Sequence, residues 1–142
     1  MAEGDVTFLN SYKKHIGDGT MDWDADTIKV ALLNGWTPDI DTDEFWSDIS
    51  ANEISATNYT AGGQALTGAA ITVDTTNDWA KYDANDPSWT SLGAATVTRA
   101  AFYKDTGTPS TSPLICAVEI ATNPNGGNYS LVLGANGLFT VS

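Results

Sequence analysis

Sulfur and imidazole are almost missing from this chain, which holds one cysteine, Cys116, and one histidine, His15, among 142 residues. A single cysteine closes no internal disulfide, and one of each residue cannot assemble a Cys/His zinc set. Ser-His-Asp and Cys-His nucleophilic arrangements would both have to draw on His15. That residue falls at the end of an expected short helix, where a cation complementing the terminus is the simpler role. Positive charge is scarce too: six Lys and Arg face eighteen Asp and Glu, a formal charge of −12. That balance repels nucleic acid and anionic membrane surfaces, leaving neutral or locally basic partners. No apolar run approaches the roughly 20 residues of a membrane span. The acidic start Met1-Ala2-Glu3-Gly4-Asp5 has no apolar stretch of the Sec type, so synthesis in a cytoplasm is expected.

What is present is enough apolar material for a core. Hydrophobic residues make up 42% of the chain and there are five tryptophans, while charged residues reach only 17%, so a folded domain with a Ser/Thr/Asn-rich surface is expected. The length suits one domain spanning residues 1–142. Asp5 is placed to cap a helix over about 5–17, with Phe8, Leu9, Tyr12 and Ile16 on one face and Gly17 at its end. The period then changes to two: Ile28, Val30 and Leu32 alternate with Thr27, Lys29 and Ala31, the pattern of a strand.

Residues 34–58 form an acidic excursion poor in strand signals, with room for a helical turn. Its aromatics Trp36, Phe45 and Trp46 are expected to pin it to the body, because an unanchored loop of this length is unusual. From Tyr59 onward short strands recur between turn signals, as in a sandwich or barrel. The strongest pair is 95–103 with 114–120, joined by a hairpin-type loop, with Leu114, Cys116, Val118 and Ile120 on one face. Cys116 then reads as a small buried hydrophobe. A last run, 138–141, is placed to close a sheet. The fold class expected is mainly β: an antiparallel β-sandwich or jelly-roll-like single domain with a short N-terminal helix.

Few residues invite a chemical role. Asp39, Asp41 and Asp43 alternate like the opening of a calcium loop, yet Glu44 and Ser50 stand where an EF-hand needs glycine and a bidentate glutamate. Asp22, Asp24 and Asp26 repeat the spacing with less support. No pair among eighteen carboxylates is singled out as a glycosidase pair. Trp36, Trp46, Trp79 and Trp89 offer either a sugar-stacking platform or core and loop anchors. Asn58-Tyr59-Thr60 and Asn128-Tyr129-Ser130 match a glycosylation pattern that lacks the secretory signal to use it. Neither a catalytic residue nor a cofactor is expected, and the chain reads as a non-enzyme.

Four segments in order carry a resemblance: 27–33 (TIKVALL), 59–68 (YTAGGQALTG), 102–107 (FYKDTG) and 112–115 (SPLI). Together they resemble a family of small tailed-bacteriophage virion structural proteins that look like capsid decoration, or cement, proteins. The resemblance runs from about Asp5 to the end and rests on strand cores and turn glycines. It implies a virion protein made in the host cytoplasm, partnered by the major capsid protein, and self-associating, as a trimer if it sits at three-fold positions of a shell. Phe8 in the N-terminal segment and Trp36, Phe45 and Trp46 in the excursion are the expected contact residues, since both segments depart from the strand-turn body. The alternative is a carbohydrate-binding module of a phage tail or surface structure.

Overall fold

The computed structural model describes residues 4–134 and 136–141; Met1–Glu3, part of the acidic start, lie outside them, as do Ala135 and Ser142. In chain order the elements are β1 (Val6–Phe8), α1 (Asn10–Gly17), β2 (Ile28–Leu33), α2 (Trp46–Ile49), β3 (Gln64–Ala65), β4 (Ala70–Asp74) and β5 (Trp79–Asp83). They are followed by β6 (Ser88–Trp89), β7 (Val97–Lys104), β8 (Leu114–Thr122), β9 (Tyr129–Ser130) and β10 (Phe139–Val141). All pairings are antiparallel and make three sheets: β1-β8-β7-β2-β3, β10-β5-β4 and β6-β9. The result is a β-sandwich-like single domain, as the strand-turn pattern implies.

The long strands β2, β7 and β8 are buried on both faces, which explains their near-continuous apolar sequence. One face, with Val30, Leu32, Phe102, Cys116 and Val118, packs on the smaller sheets and α1 through Trp23, Trp89, Leu131 and Phe139. The other face, with Ala31, Leu33, Ala101 and Tyr103, is covered by Trp36, Trp46 and Ile49 from the excursion. Residues 34–58 therefore act as a second cover layer. A hydrogen bond from Asn34 N–H to Asn52 O (2.9 Å) closes the excursion on itself, and one from Ile54 N–H to Leu32 O (3.0 Å) ties it to β2.

Two expectations are corrected. The chain enters as a strand, not as a helix from Asp5: β1 pairs with β8, Val6 opposite Val118 and Phe8 opposite Cys116. Phe8 turns to the main core and Leu9 to the back core, opposite sides as neighbours on an extended chain must. Pairing satisfies backbone groups along β8 that a helix over 5–8 would leave open, and this overrides a weak local helix preference. The helix begins only at Asn10, buries Tyr12 and leaves Ile16 42% exposed.

Leu114 is the second correction. Phe102 faces Cys116 while Tyr103 faces Leu114, so Ile115 is an extra residue in β8. This β-bulge reverses the alternation: Leu114 joins the back core and Ile115 the main core.

Candidate interaction surface

A turn closes the β4–β5 hairpin because Asp74 Oδ1 accepts the N–H groups of Thr76 (2.9 Å) and Asn77 (3.0 Å), while Asp78 adopts φ 57°. The Asn77 side chain holds the Asp74 carboxyl below the ordinary carboxylate range. At the base, the Trp23 indole donates to Asp83 O at 3.0 Å and Tyr82 stacks on Phe139 at 4.6 Å. The hairpin is thus rooted in the core, yet no β4 residue is buried.

Cross-strand register puts Ile71 opposite Tyr82 and Val73 opposite Ala80, and on the other side of β5 puts Val141 opposite Ala80. Opposed residues share a sheet face, so Ile71, Val73, Ala80 and Val141 form one apolar side. Val73 is 72% exposed, Val141 44% and Ile71 37%. Ile71 and Ile16 line one cleft of about 170 Å³ with Tyr82 and Asp22, carrying the strip onto the end of α1. Scattered exposed aliphatics need no explanation, whereas these residues lie along one side of one sheet. Asp22 lines the Ile71 cleft with Asp24 next to it, and Asp74 and Asp78 stand at the hairpin turn; Lys81 is matched by Asp83 at 3.7 Å. A hydrogen bond that the protonated Asp24 carboxyl donates to Asp22 pushes the Asp24 pKa upward.

The expected contact residues sit elsewhere. Trp36 and Trp46 are only 5% and 6% exposed and belong to the back core, so their indoles offer no contact area. Phe8 is half-buried, packing edge-on to Phe139 at 4.8 Å, and half-buried Phe45 bridges to Pro113. Trp23 and Trp89 are buried as well; Trp79 alone among the five tryptophans keeps partial exposure. It stands by a cleft of about 320 Å³ with Asp74 and Lys81.

The calcium-loop reading of Asp39, Asp41 and Asp43 gives way to a capped turn. Asp39 Oδ1 accepts the N–H of Asp41 (3.1 Å) and Thr42 (3.2 Å), and hydrogen bonding, led by the Thr42 side chain, holds its pKa down. Asp43 Oδ2 accepts the Trp36 indole N–H at 3.0 Å, and Asp41 Oδ1 accepts Asn10 Nδ2 at 2.6 Å. Among the described residues no three His, Cys, Asp or Glu side chains converge as metal ligands. Asn58 and Asn128 both hydrogen-bond the Ser91 backbone.

His15 is buried beneath the excursion, with Nε2 3.4 Å from Glu44 Oε1 and Nδ1 3.9 Å from Asp18 Oδ2. His15 does stand in the last turn of α1, as expected, but it is buried there and also makes a contact between α1 and the excursion. Cys116 is 1% exposed, and burial pushes its thiol pKa upward, the environment of an inert cysteine.

The four segments that carry the family resemblance meet around Glu53. Glu53 accepts the Gly62 N–H with both oxygens (2.9 Å each) and the Tyr59 hydroxyl at 3.3 Å, while Tyr103 donates to Gly62 O at 2.6 Å. Burial raises the Glu53 pKa. A cleft of about 380 Å³ opens beside it, edged by the Lys29–Asp105 ion pair at 2.9 Å. Glu53, Tyr103, Lys29, Asp105 and Ser112 there are all engaged with the fold. Comparison with family models, with curated proteins and with solved structures finds no match.

Proposed function

We propose that this protein is a non-enzymatic bacteriophage virion component: a capsid decoration protein that binds the outer face of the major capsid protein lattice and stabilises the head. The observation that carries the reading is the exposed apolar strip Ile71–Val73–Val141 along one side of the β10-β5-β4 sheet, on an otherwise acidic body. A decoration protein needs one shell-complementary face and a solvated remainder, and this division supplies both. Binding the assembled lattice, and not free subunits, stabilises the lattice by mass action, amplified by many copies. Trimerisation at three-fold positions belongs to the same proposal. The resemblance in the 27–33, 59–68, 102–107 and 112–115 segments supports the virion assignment.

Electron microscopy of particles with and without the protein tests it directly. Extra density on the outer head surface and loss of heat resistance on removal are expected. Absence of the protein from purified particles would overturn the reading. The carbohydrate-binding alternative now rests on Trp79, the one tryptophan with partial exposure, beside the Asp74–Lys81 cleft. Selective glycan-array binding lost in Trp79→Ala would favour that alternative over decoration.

A further inference from the structure

We infer that β4 accepts an extended segment of a partner protein as an added strand, the segment alternating apolar side chains and carrying lysine or arginine at its flanks. The inference deepens the reading of this face as the docking surface; it adds the mode of pairing and the chemistry of the partner.

Position is the first ground. β4 is the terminal strand of the β10-β5-β4 sheet, so its outer edge has no strand partner among the described residues. Five residues give an edge of about 17 Å, the length of an ordinary strand. Folded proteins guard such edges with lysine, proline, bulges or a covering loop, because an open edge pairs with any extended chain that meets it. Ala70-Ile71-Thr72-Val73 contains neither lysine nor proline, and its register against β5 runs without a bulge from Ala70 to Asp74.

Side-chain spacing is the second ground. Ile71 and Val73 are two residues apart on the apolar side, so an added strand places alternate side chains directly against them. Thr72 and Asp74 line the opposite side, where polar partners suffice. This is strand addition: the backbone supplies affinity and the alternating contacts supply selectivity.

Charge chooses the occupant. Asp22 lines the cleft beside Ile71, Asp24 adjoins Asp22, and Asp74 and Asp78 stand at the hairpin turn, while Lys81 is already matched by Asp83. A second copy would satisfy the apolar contacts, since antiparallel self-pairing about Thr72 sets Ile71 against Val73. At this edge it would also set the Asp22, Asp74 and Asp78 carboxylates of two copies near one another. A segment with basic flanks gains where a second copy loses.

The test uses the intact protein and two synthetic peptides that alternate valine with threonine, one flanked by lysine pairs and one by glutamate pairs. The lysine-flanked peptide is expected to bind, to slow backbone amide exchange within 70–74, and to weaken as salt rises. Val73→Lys, at a 72% exposed position, is expected to weaken that binding about tenfold without altering the fold, whereas Val132→Lys, at a 71% exposed position that lines a different cleft, leaves it unchanged. No binding, equal binding of both peptides, or protection confined to other residues would overturn the proposal. Concentration-dependent dimerisation that disappears in Val73→Lys would assign the edge to a second copy and overturn it too. Particle decoration separates the two readings. Decoration insensitive to Val73→Lys removes strand addition and leaves the cement reading standing. Peptide binding at β4 by a protein that never decorates particles does the reverse.

Discussion

The Tyr103 ring lies flat on the Trp46 indole, with centroids 4.6 Å apart and planes 7° from parallel. This stack joins β7 to α2, and so fixes the excursion to the back of the main sheet. Its hydroxyl end continues to Gly62 O at 2.6 Å, so one side chain links three segments distant in sequence.

Removing the two ends of that link has unequal costs. Trp46→Ala opens a cavity under the excursion and is expected to destabilise by about 3–5 kcal/mol. Tyr103→Phe keeps the stack and forfeits only the hydroxyl bond, for about 1 kcal/mol. Urea unfolding of both variants checks the ratio. Equal losses would show that the indole is not the anchor.

Gly63 and Gly62 adjoin and both have positive φ, yet they tolerate a methyl group differently. A Cβ on Gly63 (φ +80°) would fall 1.9 Å from Val30 O, inside the backbone of β2. On Gly62 (φ +89°) it would meet the Tyr103 hydroxyl at an ordinary 3.4 Å. Gly62→Ala is expected to cost about 1–2 kcal/mol, from the left-handed backbone alone. Gly63→Ala has to displace β2 or the 59–68 turn, and is expected to exceed about 4 kcal/mol. Thermal midpoints of the two variants, measured side by side, decide the order.

Acid titration should expose two carboxyls working in opposite senses. The Lys29 ammonium and the Gly107 N–H hold the Asp105 pKa below its ordinary value. Its contribution is therefore complete above the range where a free aspartate titrates, and is lost as pH falls through the lower folded value. Burial raises the Glu53 pKa, so Glu53 makes stability rise as pH drops from neutral through its folded value towards that of a free glutamate. Asp105→Asn is expected to flatten the acid-side loss, and Glu53→Gln to remove the mildly acidic gain. Chemical denaturation as a function of pH measures both slopes, and a Glu53→Gln profile parallel to that of the parent would contradict the assignment.

Cys116 supplies a kinetic readout. At 1% exposure, with its thiol pKa raised by burial, it should resist a thiol reagent in the folded protein and react at once in denaturant. The folded-state labelling rate is expected to follow global opening and to rise in parallel with the destabilisation of Trp46→Ala. Rapid labelling of the native parent would place Cys116 in a locally open region.

The central strands were legible because their signal is local. Ile28, Val30 and Leu32 alternate without interruption, and the turn-forming residues between 103 and 114 separate β7 from β8 plainly. The anchoring role of Trp36 and Trp46 was legible from the improbability of a long free loop. Residues 5–8 misled because four residues with Phe8 at the end suit a helix or a strand equally, and the deciding term is the β8 edge more than a hundred positions away. Leu114 misled because period-two counting assumes no insertion, whereas Ile115 is one. The docking strip was hidden for a related reason. Ile71 and Val73 read as strand residues, but their exposure depends on β4 lying at the margin of its sheet, which no local pattern reports. The expectation of contact residues in 34–58 failed because departure from the strand-turn body says nothing of exposure, and the tryptophans there are sealed.

The unequal burial of the five tryptophans has an optical consequence. Trp23, Trp36, Trp46 and Trp89 are enclosed by protein, so their emission is insensitive to what touches the outside, while Trp79 sits on the hairpin that carries the strip. A strand added at β4 that packs over Asp74, the residue opposite Trp79, dehydrates one indole of the five, which shifts its emission to the blue and shields it from acrylamide. The chain therefore carries its own fluorescent reporter of docking, readable without a label and silenced by Trp79→Phe.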